Sequence, residues 1–335
     1  MRRLSAFFMC ATVSLVIVGG EIHAVSAKAA ETEVYIGGMT AGFTLKMGGV
    51  QIIGLSEVVS ENGVKSPATD AGIRAGDIIQ KVGGIRVETI AELNEIVNKS
   101  KGKPLNLEIL RDKEKVQLSI QPVKESASKR YKIGILVRES VSGIGTVTYI
   151  EKGTGRFGAL GHSVATENHQ EMQISNGAVY ECSIVGVCKG VRGKAGELRG
   201  MFINDKQLGN AEKLCECGIF GEISQDFVMD ELMSAVSNSR EVKPGKAYIY
   251  STVSGISPQK YEIEIVKVDK LNRENKNYVI KVTDNALIAE TGGIVQGMSG
   301  SPILQDGRLV GAVTHVFLND PTRGYGIDIE RMMRE

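Results

Sequence analysis

The sequence lacks several residue types and patterns, and their absence narrows the class of protein. It contains no tryptophan, and its 40 lysines and arginines are balanced by 39 aspartates and glutamates, which gives a net charge of +1. A chain without a basic excess lacks the charge footprint of nucleic-acid binding, so we expect no nucleic acid among its partners. Its 335 residues, 42% of them hydrophobic, suit one large or two medium globular domains.

Long hydrophobic runs are also scarce, and the one near the N-terminus has the pattern of an export signal. The apolar stretch from Leu4 to Val18 is shorter than the roughly 20 residues that cross a bilayer comfortably. It follows the basic start Met1–Arg3 and precedes the small-residue segment AVSAKAA. We therefore predict a signal peptide or membrane anchor over 1–30, with the working part beginning near Lys28 outside the cytosol.

Cysteines are few, and their spacing argues against a zinc site. Beyond Cys10 in the leader, the chain contains Cys182, Cys188, Cys215 and Cys217. An even number in an exported protein is compatible with disulfides. Zinc knuckles usually place two residues between paired cysteines, whereas Cys215 and Cys217 have one between them and no histidine nearby. We expect structural or free thiols, no metal site and no cofactor.

The rest of the chain shows two successive β-rich patterns. From residue 32 to 124, short alternating segments predict strands, and TIAELNEIVNKS has the apolar spacing of one helix. The polar segment KESASKRYK then interrupts this pattern. From residue 130 to 335, short strands alternate with glycine-rich turns. The sequence predicts a mainly β protein with one domain over 32–124 and a second over 130–335.

The first domain contains the segment SPATDAGIRAGDIIQKVGGIRV, which resembles the PDZ domains of bacterial proteases over roughly Gly37 to Val123. In that family a short loop presents backbone N–H groups to a peptide, which adds as a strand alongside a helix. The resemblance maps this loop onto TAGF, where Ala41, Gly42 and Phe43 would bind the peptide. It implies a peptide segment as partner, and a segment of the protein's own chain is equally open.

The second domain contains the motif GMSGSPIL, which places Ser299 and Ser301 among glycines. Taken alone, the motif fits a tight turn between two strands, because glycine allows backbone conformations that other residues avoid. A nucleophilic serine would need a base, and beyond the leader the histidines are His162, His169 and His315. Of these, His162 ends a glycine-rich apolar run, whereas His169 lies in the polar stretch ENHQ.

The order His162, an aspartate and then Ser299 matches chymotrypsin-like proteases rather than α/β-hydrolases. The motif GMSGSP also resembles their GDSGGP signature, which implies a double β-barrel with Ser299 as nucleophile and His162 as base. The same resemblance implies an oxyanion hole at the backbone N–H groups of Gly297 and Ser299. Met298 replaces the aspartate that binds a new N-terminus in activated zymogens, so activation would work differently here.

Nearly the whole chain resembles the stage IV sporulation protein B family. Its members are PDZ-containing serine endopeptidases of endospore-forming bacteria. The resemblance is carried by GALGHSV and by the run from VTDNAL to RGYGI. It implies export across the forespore membrane and signalling proteolysis, in the intermembrane space, of a membrane-associated regulator. That cleavage, with cleavage of the peptidase itself, would trigger intramembrane proteolysis and so activate a late mother-cell sigma factor. The family motif maps the triad acid onto Asp284, with Asp205 as the rival.

Two other functions stay open on the sequence alone. The chain would be a catalytically silent adaptor if only its PDZ domain were active. An acyl hydrolase is disfavoured, because the residues around Ser299 lack the final glycine of the nucleophile elbow. In a chymotrypsin-like fold, the strand after Ser299 forms a wall of the substrate pocket. There His315 would donate a hydrogen bond to a Gln or Glu side chain before the scissile bond, unless it faces solvent.

Overall fold

The computed structural model describes residues 33–164, 174–224 and 241–335, apart from the side chains of 204–206, together with the backbone of 235–237. The predicted signal or anchor segment, 1–30, and His169 lie outside the described residues. No helix in the described part is long and apolar enough to cross a membrane.

Strands dominate the described chain. In chain order the strands and helices are β1 (Glu33–Ile36), β2 (Thr40–Leu55), β3 (Val58–Ser60), β4 (Gly63–Lys65), α1 (Pro67–Asp70), β5 (Ile78–Val82), β6 (Ile85–Arg86), α2 (Ile90–Lys99), β7 (Leu105–Arg111), β8 (Glu114–Ile120), β9 (Val123–Lys124), β10 (Tyr131–Lys132), β11 (Ile135–Glu151), β12 (Arg156–Ala159), β13 (Asn176–Cys188), β14 (Glu197–Cys215), β15 (Gly218–Ile223), β16 (Ala235–Ser237), β17 (Gly245–Ser251), β18 (Gln259–Val268), β19 (Tyr278–Val282), α3 (Asn285–Thr291), β20 (Pro302–Gln305), β21 (Arg308–Phe317), β22 (Asp320–Asp328) and α4 (Ile329–Met333).

The C-terminal part of the chain forms a closed barrel. Its six strands pair in the order β17, β18, β19, β22, β21 and β20, and β20 returns to β17. Strand β18 shows why the sequence forms this sheet: Tyr261, Ile263 and Ile265 alternate with exposed or half-buried residues. A period of two places these three side chains on one face of the strand, and they pack in the barrel core.

A ring of six strands, which is the first barrel in chain order, combines early and late parts of the chain, and the barrel of β17 to β22 is the second barrel. Strand β2 pairs with both β11 and β13. The pairs β11–β12, β12–β15, β15–β14 and β14–β13 complete a closed antiparallel circuit. Its interior includes the buried side chains of Phe43, Val147 and Phe157. The two rings confirm the predicted mainly β architecture and give the chain two adjoining barrels.

A smaller module lies, in chain order, between strands β2 and β11 of the first barrel. It contains β3 to β8, α1 and α2, and it has its own apolar core. Helix α2 forms where the apolar spacing predicts it, and it begins with a capping box. The Thr89 hydroxyl accepts from the Glu92 N–H at 3.2 Å, while the Glu92 carboxylate accepts from the Thr89 N–H at 3.1 Å. Leu93 and Val97 are the buried face of this helix.

The structure corrects both the predicted start of the first domain and its peptide-binding loop. Residues 33–46, assigned by sequence to that domain, pair with β11, β13 and β16, which belong to the second predicted domain. Ala41, Gly42 and Phe43 are buried near the start of β2. Because β11 covers one edge of these residues and β13 covers the other, no peptide can add there as a strand. The prediction that they bind a peptide is therefore wrong.

Candidate active site

The two serines of GMSGSP have different surroundings. Ser299 lies in the turn before β20, and its hydroxyl donates to the Thr314 carbonyl at 2.9 Å. Its side chain lines a cavity between the two barrels. Ser301 is fully buried, and its hydroxyl donates to that of Ser251 at 3.0 Å. Only Ser299 is therefore placed to meet a substrate.

His162 follows β12 through a strained backbone segment. Leu160 and Gly161 have φ values of +71° and +68°. Positive φ is rare for a residue as bulky as leucine, and such strain is concentrated at functional sites. The strain turns His162 into the cavity that Ser299 lines. His162 Nδ1 lies 2.7 Å from the Ser163 carbonyl. The tautomer that donates this bond leaves Nε2 as the acceptor.

The cavity has a volume of about 470 Å³. Both barrels contribute apolar side chains to its walls. Its lining includes His162, Gly297, Ser299, Thr314, His315, Leu45, Ile144, Ile219, Ile294 and Val295. The structure thus brings together the predicted nucleophile, the predicted base and the predicted pocket histidine. Within the described residues no hydrogen bond joins Ser299 to His162, because the Ser299 hydroxyl is bonded to Thr314.

The two cavity histidines are close to each other and have lowered pKa values. Their ring centroids are 5.0 Å apart. Burial lowers the pKa of His162 below its ordinary value. At the cavity mouth, partial burial lowers the pKa of His315 to about 4, and repulsion from His162 and Lys276 adds to this shift. Both rings are therefore neutral at pH 7, which is the form that a general base requires.

The nucleophile turn exposes two backbone N–H groups. Gly297 has φ +98°, a conformation that favours glycine. Among the described residues, the N–H groups of Gly297 and Ser299 have no protein acceptor. Both residues line the cavity. Donors left free beside a serine hydroxyl are what an oxyanion hole requires.

Two threonines that the sequence analysis missed hold this turn. The Thr146 hydroxyl donates to the Gly297 carbonyl at 2.8 Å, and its N–H donates to the Ser299 carbonyl at 3.0 Å. The Thr148 hydroxyl donates to the Gly300 carbonyl at 2.8 Å. Both threonines are fully buried in β11. Their signal in the sequence is a pair of threonines that flank Val147 in the buried run from Gly145 to Ile150.

Close packing at Gly300 also holds the nucleophile turn in place. Gly300 has φ +94°, and a Cβ atom there would lie 2.1 Å from the Thr146 carbonyl oxygen. That oxygen accepts a hydrogen bond from the Leu160 N–H at 3.2 Å. Thr146 therefore connects the turn that carries the serine with the segment that carries His162.

Asp284, predicted as the triad acid, lies outside the cavity lining. It is the N-cap of α3, where its Oδ1 accepts from the N–H groups of Ala286 and Leu287 at 2.9 and 3.0 Å. Its Oδ2 accepts from the Glu262 N–H at 3.3 Å. Gly292 caps the C-terminal end of helix α3, five residues before Gly297. The structure therefore assigns Asp284 to the helix that leads into the nucleophile turn.

The other sequence predictions have mixed outcomes. The side chain of Asp205 lies outside the described part of β14, so its candidacy as the acid stays open. No Asp or Glu is among the described residues that line the cavity. Met298 is fully buried in the core of the second barrel. An apolar side chain in this position has no charge to offer a new N-terminus.

The four cysteines of the described chain are free. Sulfur atoms of Cys215 and Cys217 and a carboxylate oxygen of Glu335 lie within 4.8 Å of one another. The Glu335 carboxylate is already bound to Lys213 at 2.7 Å. Burial is the main cause that raises the pKa of Cys215 to about 11 and also raises that of Cys217, so both are neutral thiols at pH 7.

Comparisons with known proteins bear on the family and the domains of this chain. The profile of the SpoIVB peptidase S55 family matches residues 129–333, and a PDZ domain profile matches residues 42–121. One stretch is 34% identical over 108 residues to a protein of Lactococcus lactis subsp. lactis (strain IL1403) assigned by name to the zinc metalloproteases (LL2128). That match covers 30% of this chain and 24% of the relative, so this chain spans about a quarter of the relative's length.

Among solved structures, the PDZ domain of an SdrC-like protein from Listeria monocytogenes is 19% identical to this chain. The match covers 27% of this chain and 86% of the Listeria chain, and its TM-score of 0.22 is too low to carry an argument. The peptidase profile, by contrast, covers more than half of the chain, including His162 and Ser299. The chain therefore belongs to the SpoIVB peptidase S55 family and is a mainly β serine peptidase with a PDZ domain.

Proposed function

We propose that this peptidase is an endopeptidase in which Ser299 is the nucleophile and His162 is its general base. The observation that carries the proposal is a single cavity lined by both side chains and by the free N–H groups of Gly297 and Ser299. Hydrogen bonds between a nucleophile and its base often form only when substrate is bound. Rotation of the Ser299 side chain away from the Thr314 carbonyl would bring its hydroxyl toward the His162 ring.

In the proposed reaction, the Ser299 oxygen attacks the peptide carbonyl carbon while Nε2 of His162 takes the hydroxyl proton. The N–H groups of Gly297 and Ser299 stabilise the oxyanion, and His162 then gives the proton to the leaving amine. The Ser163 carbonyl orients the imidazole through Nδ1, a task that a carboxylate performs in chymotrypsin-like enzymes. A water molecule then hydrolyses the acyl-enzyme ester by the reverse steps.

The cavity lining bears on the residue accepted before the scissile bond. His315 lies beside His162 at the mouth of a largely apolar cavity. As part of the proposal, the His315 ring donates to the side-chain oxygen of a Gln or Glu, with the apolar walls holding its methylene groups. A site built around such a donor rejects substrates that leave it unpaired.

The biological setting is proposed from the family. An exported peptidase of this family would act in sporulation signalling in the space between forespore and mother cell. It would be either membrane-anchored or released there. Its substrates would be a membrane-associated regulator and the peptidase itself, and their cleavage would start intramembrane proteolysis and activate the late mother-cell sigma factor.

Two assays test the proposal at its two levels. Purified protein is incubated with an unfolded test protein, and new N-termini are sequenced for wild type, Ser299→Ala and Ser301→Ala. We expect cleavage, including self-cleavage, by wild type and Ser301→Ala only. In an endospore-forming host, Ser299→Ala should abolish heat-resistant spores. If purified Ser299→Ala cleaves as wild type does, the catalytic proposal fails; if spores still form in the host, the sporulation role fails.

A further inference from the structure

Strand β11 passes along the PDZ domain before it enters the barrel. Its first residues pair antiparallel with the second half of β2, with Ile135 opposite Leu55, Leu136 opposite Gly54 and Val137 opposite Ile52. The other edge of β2 pairs with β5 of the PDZ domain at Val50 and Gln51. Residues 135–138 therefore form an added strand at the edge of the PDZ sheet.

The side chains of this segment contact the PDZ domain in alternation. Ile135 and Val137 pack against the PDZ core that contains Leu93 and Val97 of α2. Two residues further on, the Glu139 carboxylate accepts from the Ile90 N–H at 2.6 Å, in the first turn of α2. Every second residue from 135 to 139 thus faces the domain. This is the way a peptide adds to a PDZ sheet, with main-chain pairing and alternate side chains in pockets.

The opposite face of the segment is exposed or polar. Leu136 is 54% exposed. The Arg138 guanidinium donates through Nε to the Gln51 side-chain oxygen at 2.8 Å. The apolar and acidic contacts are therefore confined to the face that meets α2.

The same strand ends at the active site. Strand β11 is 17 residues long. Its later residue Thr146 holds the carbonyls of Gly297 and Ser299. One continuous strand therefore joins the PDZ groove to the nucleophile turn, and a shift of its first half would pull on the donors that hold Ser299.

We propose that residues 135–139 are the built-in ligand of the PDZ domain and that their docking keeps β11 in the position that supports the nucleophile turn. The groove takes an extended segment with apolar residues at alternate positions followed by an acidic residue. A segment tethered beside its groove has an effective concentration in the millimolar range, so an external peptide of the same pattern must compete with it. External peptides bind the intact protein weakly, and their binding lowers peptidase activity. The activity part rests on the proposed function.

A disulfide lock tests where the segment lies. A Cβ atom at Gly54 would lie 3.8 Å from the Leu136 Cβ, which is close to the mean separation of about 3.8 Å in disulfides. The double variant Gly54→Cys/Leu136→Cys should form this bond under mild oxidation, and each single variant is its control. The oxidised protein should remain active on a small peptide and bind no labelled peptide of residues 132–141. Failure to form the bond, or loss of activity that returns on reduction, would overturn the proposal.

A matched pair of substitutions tests the coupling. Val137→Asn weakens docking of the segment, and Val64→Asn makes the same change at an exposed valine of the β3–β4 hairpin. Fluorescence anisotropy should show the labelled peptide binding Val137→Asn at least about tenfold more tightly than wild type, because the competing segment is released. Activity of Val137→Asn should fall by about tenfold or more, while Val64→Asn should match wild type in both assays.

The two readouts separate the possible failures. If wild type binds the peptide as tightly as Val137→Asn, the groove assignment is wrong, whatever the activity. Tighter binding with unchanged activity would refute the coupling alone. If Val137→Asn unfolds, hydrogen exchange of the backbone amides of 135–138 in wild type tests the docking instead. A docked strand requires slow exchange of these amides. Rapid exchange would contradict the docking. If wild type shows no Ser299-dependent activity at all, the proposed function fails and the binding result still stands.

Discussion

Ser299 and Ser301 are two positions apart and have opposite environments. One lines the cavity, and the other is buried against Ser251. Since the hydrogen bond of Ser301 is in the core, Ser301→Ala should cost stability by about 0.5–1.5 kcal/mol and leave kcat/KM close to wild type. Denaturant unfolding and peptide hydrolysis measure the two effects. Loss of activity in a folded Ser301→Ala protein would contradict this assignment.

Substitutions of Asp284 test whether this residue, which the family motif maps as the triad acid, acts in catalysis or only as a helix cap. Asn caps helices as well as Asp does, whereas Ala does not, so Asp284→Ala should lose about 0.5–2 kcal/mol of stability and Asp284→Asn much less. With capping as its role, Asp284→Asn should keep kcat/KM within about tenfold of wild type. Thermal unfolding and steady-state kinetics are measured side by side. If Asp284→Asn is stable and has lost about 10⁴ in turnover, Asp284 is the triad acid after all.

The pH dependence follows from His162. Only its neutral form accepts the serine proton, and burial lowers its pKa below 6.5. Activity should therefore persist as pH falls through 6.5 and decline only at lower pH. The neutral rings also add stability that is present above pH 6.5 and lost as pH falls toward the pKa of about 4 of His315. A kcat/KM profile whose acidic midpoint lies at or above pH 7 would contradict the buried environment of His162.

At the scale of single elements, strand β11 determines the geometry of the nucleophile turn. Thr146→Val keeps the shape of the side chain and removes its hydrogen bond to the Gly297 carbonyl. A net loss of about 1 kcal/mol in holding the turn corresponds to a decrease in kcat of about five- to tenfold. Thr154→Val, in an exposed turn, is the matched control and should behave as wild type. Equal kcat for wild type and Thr146→Val would show that the turn is held by its other contacts.

Elements differ in how far the sequence predicts them. Local signals fixed α2, because Thr89 and Glu92 make its capping box and its apolar residues recur at helical spacing. The helix cap at Asp284 was not predicted, although an Asp precedes the helical segment NALIAET there. The pairing of β2 with β13 was not predicted either, because the period of a strand shows which face is buried and not which distant strand lies beside it. For that reason Ala41–Phe43 were assigned to a loop.

At the scale of the whole molecule, the PDZ domain is inserted into the first barrel. The family profile begins at residue 129, whereas β1 and the first half of β2, which pair with β11 and β13, precede the PDZ core. A fragment of residues 129–335 lacks β2 and leaves the edges of β11 and β13 open. We expect this fragment to aggregate or remain unfolded by circular dichroism and size exclusion, whereas 33–335 folds. A folded, active 129–335 fragment would contradict the insertion.

The sequence predicted those site residues that lie in recognisable local motifs. Glycines around Ser299 indicated a turn, and His162 was singled out because it ends a glycine-rich apolar run; both residues line the cavity. The supporting bonds from Thr146 and the position of Asp284 depend on how the barrels close, which no local pattern encodes. The contact between residues 135–139 and the PDZ groove likewise becomes visible only in the folded chain.

The central claim, an activated Ser299 served by His162, is tested most directly by covalent labelling. A fluorophosphonate forms a bond from its phosphorus to an activated serine oxygen, with loss of fluoride and of the hydroxyl proton. Peptide mapping by mass spectrometry should find the added mass on Ser299 in wild type and in Ser301→Ala. It should find none there in Ser299→Ala or His162→Ala. Labelling of Ser301, or labelling of Ser299 that continues at the wild-type rate in His162→Ala, would contradict the account.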